Sequence, residues 1–140
     1  MRYIVAVGRV LYSLIFLMTI LGHFSQGYIG YAAQAGVPAA ALLVPLSGVI
    51  AIAGGLSVAL GYQAKLGAWL LVLFLVPVTL AMHNFWTVTD PMMRGMQMAL
   101  FMKNVSMLGA ALLIAYFGAG PVSLDARRRG QAAAAPATRA

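Results

Sequence analysis

The sequence predicts an all-α protein in which four transmembrane helices form an antiparallel, up-and-down bundle. Of its 140 residues, 63% are hydrophobic and only 8% are charged, whereas a soluble domain is about half apolar and about one quarter charged. Three stretches contain no charged residue at all, namely residues 10–64, 66–89 and 104–124. Because one helical crossing takes about 20 apolar residues, the first stretch holds two crossings and each of the others holds one.

The first span is predicted over residues 4–22. Arg2 precedes the apolar run as it would in a signal peptide, but the run is too long for one and no cleavage motif follows it, so we expect an uncleaved helix. The only charged residue inside the span is Arg9. A long side chain near a helix end can snorkel to the membrane surface, so we interpret Arg9 as a membrane anchor. Residues 24–38 are predicted to form an outer connection.

The second span, predicted over residues 40–61, carries a stripe of small side chains. These residues recur every four positions along one helical face, a pattern that lets two helix backbones approach closely. We therefore predict that this face packs against a neighbouring helix. Its members are Ser47, Ala51, Gly55 and Ala59.

The third span is predicted over residues 66–83. The turn before it, residues 62–65, is so short that the second and third spans must be antiparallel neighbours. Pro77 lies inside the span, where it should kink the helix. Lys65, at the start of the span, is interpreted as a second membrane anchor.

The fourth span is predicted over residues 99–118, after a polar outer segment. We expect the membrane domain to comprise residues 1–122 and to be followed by a basic, low-complexity tail at residues 123–140. The tail beyond Asp125 has a composition typical of disorder. Its predicted membrane anchors are Arg127, Arg128 and Arg129.

The basic residues predict the orientation of the chain. With four spans, one side of the membrane holds both termini and the turn between the second and third spans. Of the basic residues, only Arg94 and Lys103 fall on the other side. Basic residues near helix ends stay in the cytoplasm, so both termini are predicted to be cytoplasmic. This topology and attraction to anionic lipid account for the net charge of +7, and no nucleic-acid partner is expected.

The chain has no cysteine, which excludes disulfides, thiolate nucleophiles and cysteine-ligated metal centres. We predict no metal site, although two alternatives stay open. His23 and His83 could ligate one haem between the first and third spans. A methionine-rich run could suit Cu(I), although adaptable packing is the commoner role of such residues; the run consists of Met92, Met93, Met96, Met98 and Met102.

Polar residues converge at the predicted outer end of the bundle, where the third span ends and the fourth begins. Because polar groups are costly within apolar segments, their clustering marks a candidate site. One interpretation is a set of interfacial anchors with an ion pair between Lys103 and Asp90. The other is a site for an amphipathic ligand such as a quinone, which needs hydrogen-bond donors and aromatic walls. The residues of that site would be His83, Trp86, Gln97, Phe101, Lys103 and Asn104.

Four segments carry a resemblance to a known family. They are Gly8-Arg9; the YAAQAGVP segment at residues 31–38; Gly54-Gly55 through Gly61 with Lys65; and His83-Asn-Phe-Trp86 followed by Gln97, Phe101, Lys103-Asn104, Gly109 and Ser123-Leu-Asp125. On these segments the chain resembles the DoxX family of small bacterial membrane proteins over residues 9–125. The resemblance implies a four-helix inner-membrane protein, and some relatives belong to quinone-linked sulfur oxidation or redox-defence assemblies. The chain departs from many relatives at Ala51, where they have Glu, and at His23, where they have Lys.

These observations together predict an accessory or anchor subunit of a redox-linked membrane assembly that contacts quinone at the outer mouth of the bundle. Besides the lipid bilayer, we expect a protein partner or a homo-oligomer. The alternatives are a catalytic quinone-linked oxidoreductase subunit and a purely structural membrane protein. No residue spacing is diagnostic of a reaction, so independent catalytic activity is not expected, and quinone is the only cofactor that we consider.

Overall fold

The computed structural model describes residues 2–134, and this part of the chain is all-helical. Its α-helices are α1 (Arg2–Met18), α2 (Ile20–His23), α3 (Gln26–Gln34), α4 (Ala40–Leu60), α5 (Ala64–Met82), α6 (Pro91–Phe117) and α7 (Leu124–Ala134), with a short 3₁₀ turn at Phe85–Thr87. Four helical stretches are long and apolar enough to cross a membrane: Arg2–His23, Ala40–Leu60, Ala64–Thr87 and Pro91–Phe117. The predictions of an all-α fold and of four spans are confirmed.

Successive spanning helices are packing partners, with α1 on α4, α4 on α5 and α5 on α6. The main core lies along these contacts and is formed by Phe16, Ala51, Val58, Ala68, Leu71, Phe74, Leu75 and Ala111. A hydrogen bond from the Tyr12 hydroxyl to the Met107 carbonyl, 3.0 Å long, joins α1 to α6. Most other large apolar side chains on the spans are exposed, as expected for surfaces that face lipid.

The contacts between α4 and α5 are closest at two glycines. A Cβ atom at Gly54 would lie 2.9 Å from the carbonyl oxygen of Gly67, so neither position has room for a side chain. Of the predicted packing stripe, Ala51 and Gly55 are buried, whereas Ser47 and Ala59 are only half-buried. Successive buried positions of α4 are three as well as four residues apart, because a helix turn holds about 3.6 residues.

The first span is interrupted rather than continuous. Thr19 separates α1 from α2, and its hydroxyl donates hydrogen bonds to the carbonyls of Ile15 and Phe16. The connection that we predicted at residues 24–38 is largely helix α3, which begins at the N-cap Ser25. This helix packs on α4 and brings Ala32 into a small second core with Ala40 and Val44.

The last spanning helix begins at residue 91, well before the predicted start at residue 99. The side chain of Asp90 caps it by accepting a hydrogen bond of 2.8 Å from the backbone N–H of Met93, and Pro91 occupies its first turn. Both are strong helix-start signals. As a result, Lys103 and Asn104 lie near the middle of α6 and not in its first turns.

The prediction of a disordered tail beyond Asp125 is wrong for residues up to 134, which form α7; residues 135–140 lie outside the described part of the chain. This helix is attached to the turn between α4 and α5. The Asp125 carboxylate accepts hydrogen bonds from the backbone N–H groups of Gln63, at 2.7 Å, and of Ala64, at 3.1 Å. The first N–H groups of a helix have no partner within it, so Asp125 caps α5 from a distant part of the sequence.

Arg9 is buried inside the protein, whereas the side chain of a snorkelling anchor would be exposed. It is only 4% exposed, and its guanidinium donates hydrogen bonds to the carbonyls of Val58, at 3.2 Å, and Val122, at 2.7 Å. Val58 lies in the last turn of α4, and its carbonyl also accepts a hydrogen bond of 3.2 Å from the backbone N–H of Gly61. Arg9 therefore joins α1 to the end of α4 and to the segment before α7. We call this region of the bundle the Asp125 end.

The other predicted anchors lie at the Asp125 end as well. Lys65 is exposed, and so are the three consecutive arginines of α7. The guanidinium carbon of Arg128 lies 5.2 Å from the ring centroid of Tyr62, a cation–π contact that holds α7 near the α4–α5 turn. An anchoring role for these four residues stays a prediction.

Candidate functional site

A cavity of about 860 Å³ lies at the opposite end of the bundle, where α5 ends and α6 begins. We call this region the His83 end. Four of the six predicted site residues line the cavity: His83, Gln97, Lys103 and Asn104. Its volume falls within the range of about 300–1,000 Å³ that is typical of pockets for small ligands.

The two predicted aromatic walls, Trp86 and Phe101, lie beside the cavity and not on its surface. With Phe85 they form a cluster of edge-to-face contacts, with ring centroids 5.3 to 5.9 Å apart. This cluster holds the 3₁₀ turn against α6. The aromatic side chains that do line the cavity are Phe16, Tyr28, Tyr31 and Phe74, which sequence reasoning did not assign to the site.

Polar contacts connect three elements across the mouth of the cavity. His83 Nδ1 lies 2.9 Å from Gln97 Oε1, and Gln97 Nε2 lies 3.5 Å from the Tyr31 hydroxyl. Tyr31 belongs to α3, His83 follows α5 and Gln97 belongs to α6, so these contacts hold α3 over the cavity. Nothing in the local sequence distinguishes Tyr31 from an ordinary interfacial tyrosine.

His23 also lines the cavity, but at a different depth from His83. Its Nδ1 donates a hydrogen bond of 3.0 Å to the carbonyl of Thr19, and its ring centroid is 5.7 Å from that of Phe74. Phe74 precedes His83 by nine residues, mostly within α5, which corresponds to about 13 Å along a helix axis. The two histidines are too far apart to ligate one haem iron, so the structure does not support that alternative.

The methionine run does not converge on a metal site either. Its members lie on different faces of α6, and all are largely exposed. Within residues 2–134, no group of three or more His, Cys, Asp and Glu side chains is arranged to hold a metal ion.

Lys103 and Asn104 lie deeper in the cavity than His83. Because α5 and α6 are antiparallel and His83 meets Gln97, Lys103 is level with about Pro77, roughly 9 Å below His83. Asn104 is only 4% exposed, and its side-chain amide makes no hydrogen bond to any of the residues 2–134. The amide atoms are not sealed off in the protein interior, so they are open to the cavity and available to hydrogen-bond a ligand.

The ion pair between Lys103 and Asp90, one of our two interpretations, is not formed. The Asp90 carboxylate instead caps α6. In the part of the chain that the structure describes, Lys103 has no carboxylate within salt-bridge distance.

The cavity has both polar and apolar lining. Its polar side chains include His83, Gln97, Lys103 and Asn104, and its apolar side chains include Ile15, Phe16, Ile50, Leu75 and Met107. An arrangement of this kind suits a molecule that has a polar headgroup and a hydrocarbon part.

Comparison with known proteins gives the family. The model of the SURF4 family matches residues 1–130 of this chain. The chain belongs to the SURF4 family. The predicted membership of the DoxX family is therefore wrong. The residues that suggested DoxX membership include helix-end and packing residues, such as Asp125, Phe101 and Gly61. A four-helix membrane protein of another family can use the same residues to cap and pack its helices.

Three relatives are informative. The chain is 31% identical over 102 residues to the inner membrane protein YphA of Escherichia coli K12, covering 73% of this chain and 72% of YphA. It is 28% identical over 124 residues to the inner membrane protein YqjF of the same organism, covering 86% and 88%. It is 30% identical over 81 residues to the ER-derived vesicles protein ERV29 of Saccharomyces cerevisiae, covering 58% of this chain and 26% of ERV29.

No solved structure matches the chain significantly. The family and these relatives identify an integral, multi-pass protein of the inner membrane. None of the three names refers to a redox or quinone role, and our expectation of a redox assembly depended in part on the DoxX resemblance.

Proposed function

We propose that this SURF4-family protein binds one small amphipathic molecule in the cavity at the His83 end. The observation that carries the proposal is Asn104, a buried amide that lines the cavity and has no hydrogen-bond partner within residues 2–134. A ligand headgroup that accepts a hydrogen bond from the Asn104 amide would gain about 0.5–1.5 kcal/mol.

The lining favours a headgroup that carries oxygen acceptors. Asn104 and Lys103 supply N–H donors, and the apolar side chains of the cavity can contact a hydrocarbon tail. A quinone meets these requirements, since its two carbonyls accept hydrogen bonds and its tail is apolar. We propose binding and not catalysis, because both acids of the chain, Asp90 and Asp125, are engaged as helix caps.

The orientation predicted from the basic residues is part of this proposal. It puts both termini in the cytoplasm, the tail of residues 123–140 on the inner surface and the mouth of the cavity on the outer side. The charge distribution supports it, since Lys65 and the arginines of α7 lie at the Asp125 end. A protein partner or a homo-oligomer stays a prediction.

The orientation can be tested with single cysteines, because the chain has none of its own. Met92 is exposed at the His83 end and Ala132 is exposed on α7. In intact spheroplasts, a membrane-impermeant maleimide is expected to label Met92→Cys, and to label Ala132→Cys only after lysis. The reverse labelling pattern would show that the cavity opens to the cytoplasm.

The ligand site can be tested with decylubiquinone as the probe and Trp86 as the reporter. Replacing Trp69, the other tryptophan of the chain, with Phe leaves Trp86 as the only tryptophan, close to the cavity. We expect saturable quenching of Trp86 by decylubiquinone. Asn104→Leu should weaken it about tenfold, because one buried hydrogen bond is lost.

Ser106→Ala is the matched control for Asn104→Leu. Ser106 is exposed on the same helix, and its hydroxyl bonds only to the Met102 carbonyl of its own helix. The control should bind decylubiquinone like the parent protein, and both variants should melt near the parent temperature in detergent. Unchanged saturable quenching in Asn104→Leu would contradict the proposed site.

A further inference from the structure

We infer that the ligand of this cavity has an anionic headgroup, a carboxylate or phosphate on a hydrocarbon chain, and that Lys103 is its counter-ion. The inference rests on the proposed function and narrows the class of ligand. It follows from the depth of Lys103, from the positions of the acids in the chain and from the charges of the other groups that line the cavity.

Lys103 lies far from both ends of its helix. It is the thirteenth residue of α6, which has 27 residues and is one of the four candidate spans. A lysine inside a membrane span is costly unless it faces a polar cavity or a counter-ion. Lys103 lines the cavity and its side chain is exposed, so its charge is available to an anion bound there.

The acidic side chains of the chain cannot supply that anion. The chain has two acidic residues. Asp90 caps the start of α6, about 20 Å from Lys103 along the helix axis. Asp125 caps α5 at the opposite end of the bundle. An anionic partner for Lys103 in this cavity would therefore come from a bound molecule.

The rest of the lining adds no negative charge. The other titratable side chains on the cavity surface are His23, His83, Tyr28 and Tyr31, none of which has a carboxylate. Asn104 adds N–H donors beside Lys103, and a carboxylate or phosphate can accept from both residues at once. Charge-assisted hydrogen bonds of this kind are stronger than neutral ones.

The remaining space suits the hydrocarbon part of such a molecule. The lining also includes apolar side chains, Ile15, Phe16 and Leu75 among them. A neutral headgroup could occupy the same cavity, but it would leave the charge of Lys103 without compensation.

The test uses the Trp69→Phe protein in nanodiscs of zwitterionic lipid. The probe is a fluorescent fatty acid, cis-parinaric acid, which accepts excitation energy from Trp86. The competitors are oleic acid, its neutral methyl ester and 1-oleoyl lysophosphatidic acid. We expect an anionic competitor to displace the probe at about tenfold lower concentration than methyl oleate, because one charge-assisted contact is gained. The more effective of the two anions identifies carboxylate or phosphate as the headgroup.

Variants of the two lysines complete the test. Lys103→Met should abolish the preference for the anion, whereas Lys103→Arg should keep it. Lys65→Met is the matched control, since it makes the same change on an exposed lysine at the Asp125 end, and it should keep the full preference. Thermal melting of each variant in detergent verifies that it is folded.

Two results would overturn the inference. In the first, methyl oleate and both anions compete equally. This would show that the cavity binds amphiphiles without selecting their charge, so the proposed function would hold and the inference would fail. In the second, Lys65→Met abolishes the preference as well, which would assign it to attraction of anions to the membrane surface. If neither the probe nor decylubiquinone binds saturably, the proposed function fails together with the inference.

Discussion

Replacing Arg9 with Met is expected to lower the free energy of unfolding by about 2–4 kcal/mol, since each charged hydrogen bond contributes about 1.5–3 kcal/mol. The side chain of Arg9 is buried and bonds to the carbonyls of Val58 and Val122. Methionine has a similar length but no donor, so both carbonyls would lose a partner. The loss is partly offset, because the variant no longer buries a charged group.

Titration with SDS in mixed micelles, followed by circular dichroism, would measure this change. Arg2→Met is the control, because Arg2 is exposed and its guanidinium bonds to the adjacent Tyr3 hydroxyl; it should alter stability by no more than about 0.5 kcal/mol. Arg9→Lys should be intermediate, since one ammonium group replaces a fork of donors. If Arg9→Met were as stable as the parent protein, Arg9 would be a snorkelling anchor, as the sequence alone suggested.

Replacing Gly54 with Val is expected to separate α4 from α5 and to cost about 3 kcal/mol, the upper end of the usual range for overpacking. Even the Cβ atom of a side chain at Gly54 would lie 2.9 Å from the Gly67 carbonyl oxygen and from the side chain of Leu71. The oxygen belongs to the backbone and cannot move unless the helix moves. The tight approach of these two helices depends on the absence of a side chain at this point.

Gly109→Val is the matched control for this prediction. Gly109 is also a glycine in a spanning helix, but a Cβ atom there would have no neighbour within 4 Å. Thermal aggregation followed by size-exclusion chromatography in detergent should show a clear loss of stability for Gly54→Val and little change for Gly109→Val. Equal melting temperatures for the two variants would mean that α4 and α5 are less closely packed than the structure shows.

The number and positions of the spans were predictable because hydropathy is a property of each segment by itself. The bounds of the second and third spans were predicted to within about two residues, the accuracy at which helix ends can be defined. The start of α6 was missed although its signal, an N-cap Asp90 followed by Pro91, is present in the sequence; the polarity of residues 87–99 outweighed it. Helix α3 was missed because residues 24–38 contain glycines that are typical of a connection.

Part of the candidate site was also predictable. His83, Gln97, Lys103 and Asn104 stood out because polar groups are expensive in apolar segments, and the structure places all four on one cavity. Trp86 and Phe101 were correctly placed near this end, but they pack on each other and not on the cavity. The family was not predictable from short motifs, because residues that cap and pack helices recur in different membrane families.

The sequence by itself determined that this chain is helical and has four segments long and apolar enough to cross a membrane, because both properties follow from the composition of continuous segments. Only the tertiary structure decided which polar groups have partners. Arg9 is held by residues 58 and 122 and Gln97 contacts Tyr31, whereas Asn104 is buried beside the cavity without a partner within residues 2–134. These outcomes depend on how residues far apart in the chain come together, and the hydropathy of a single segment contains no information about such contacts.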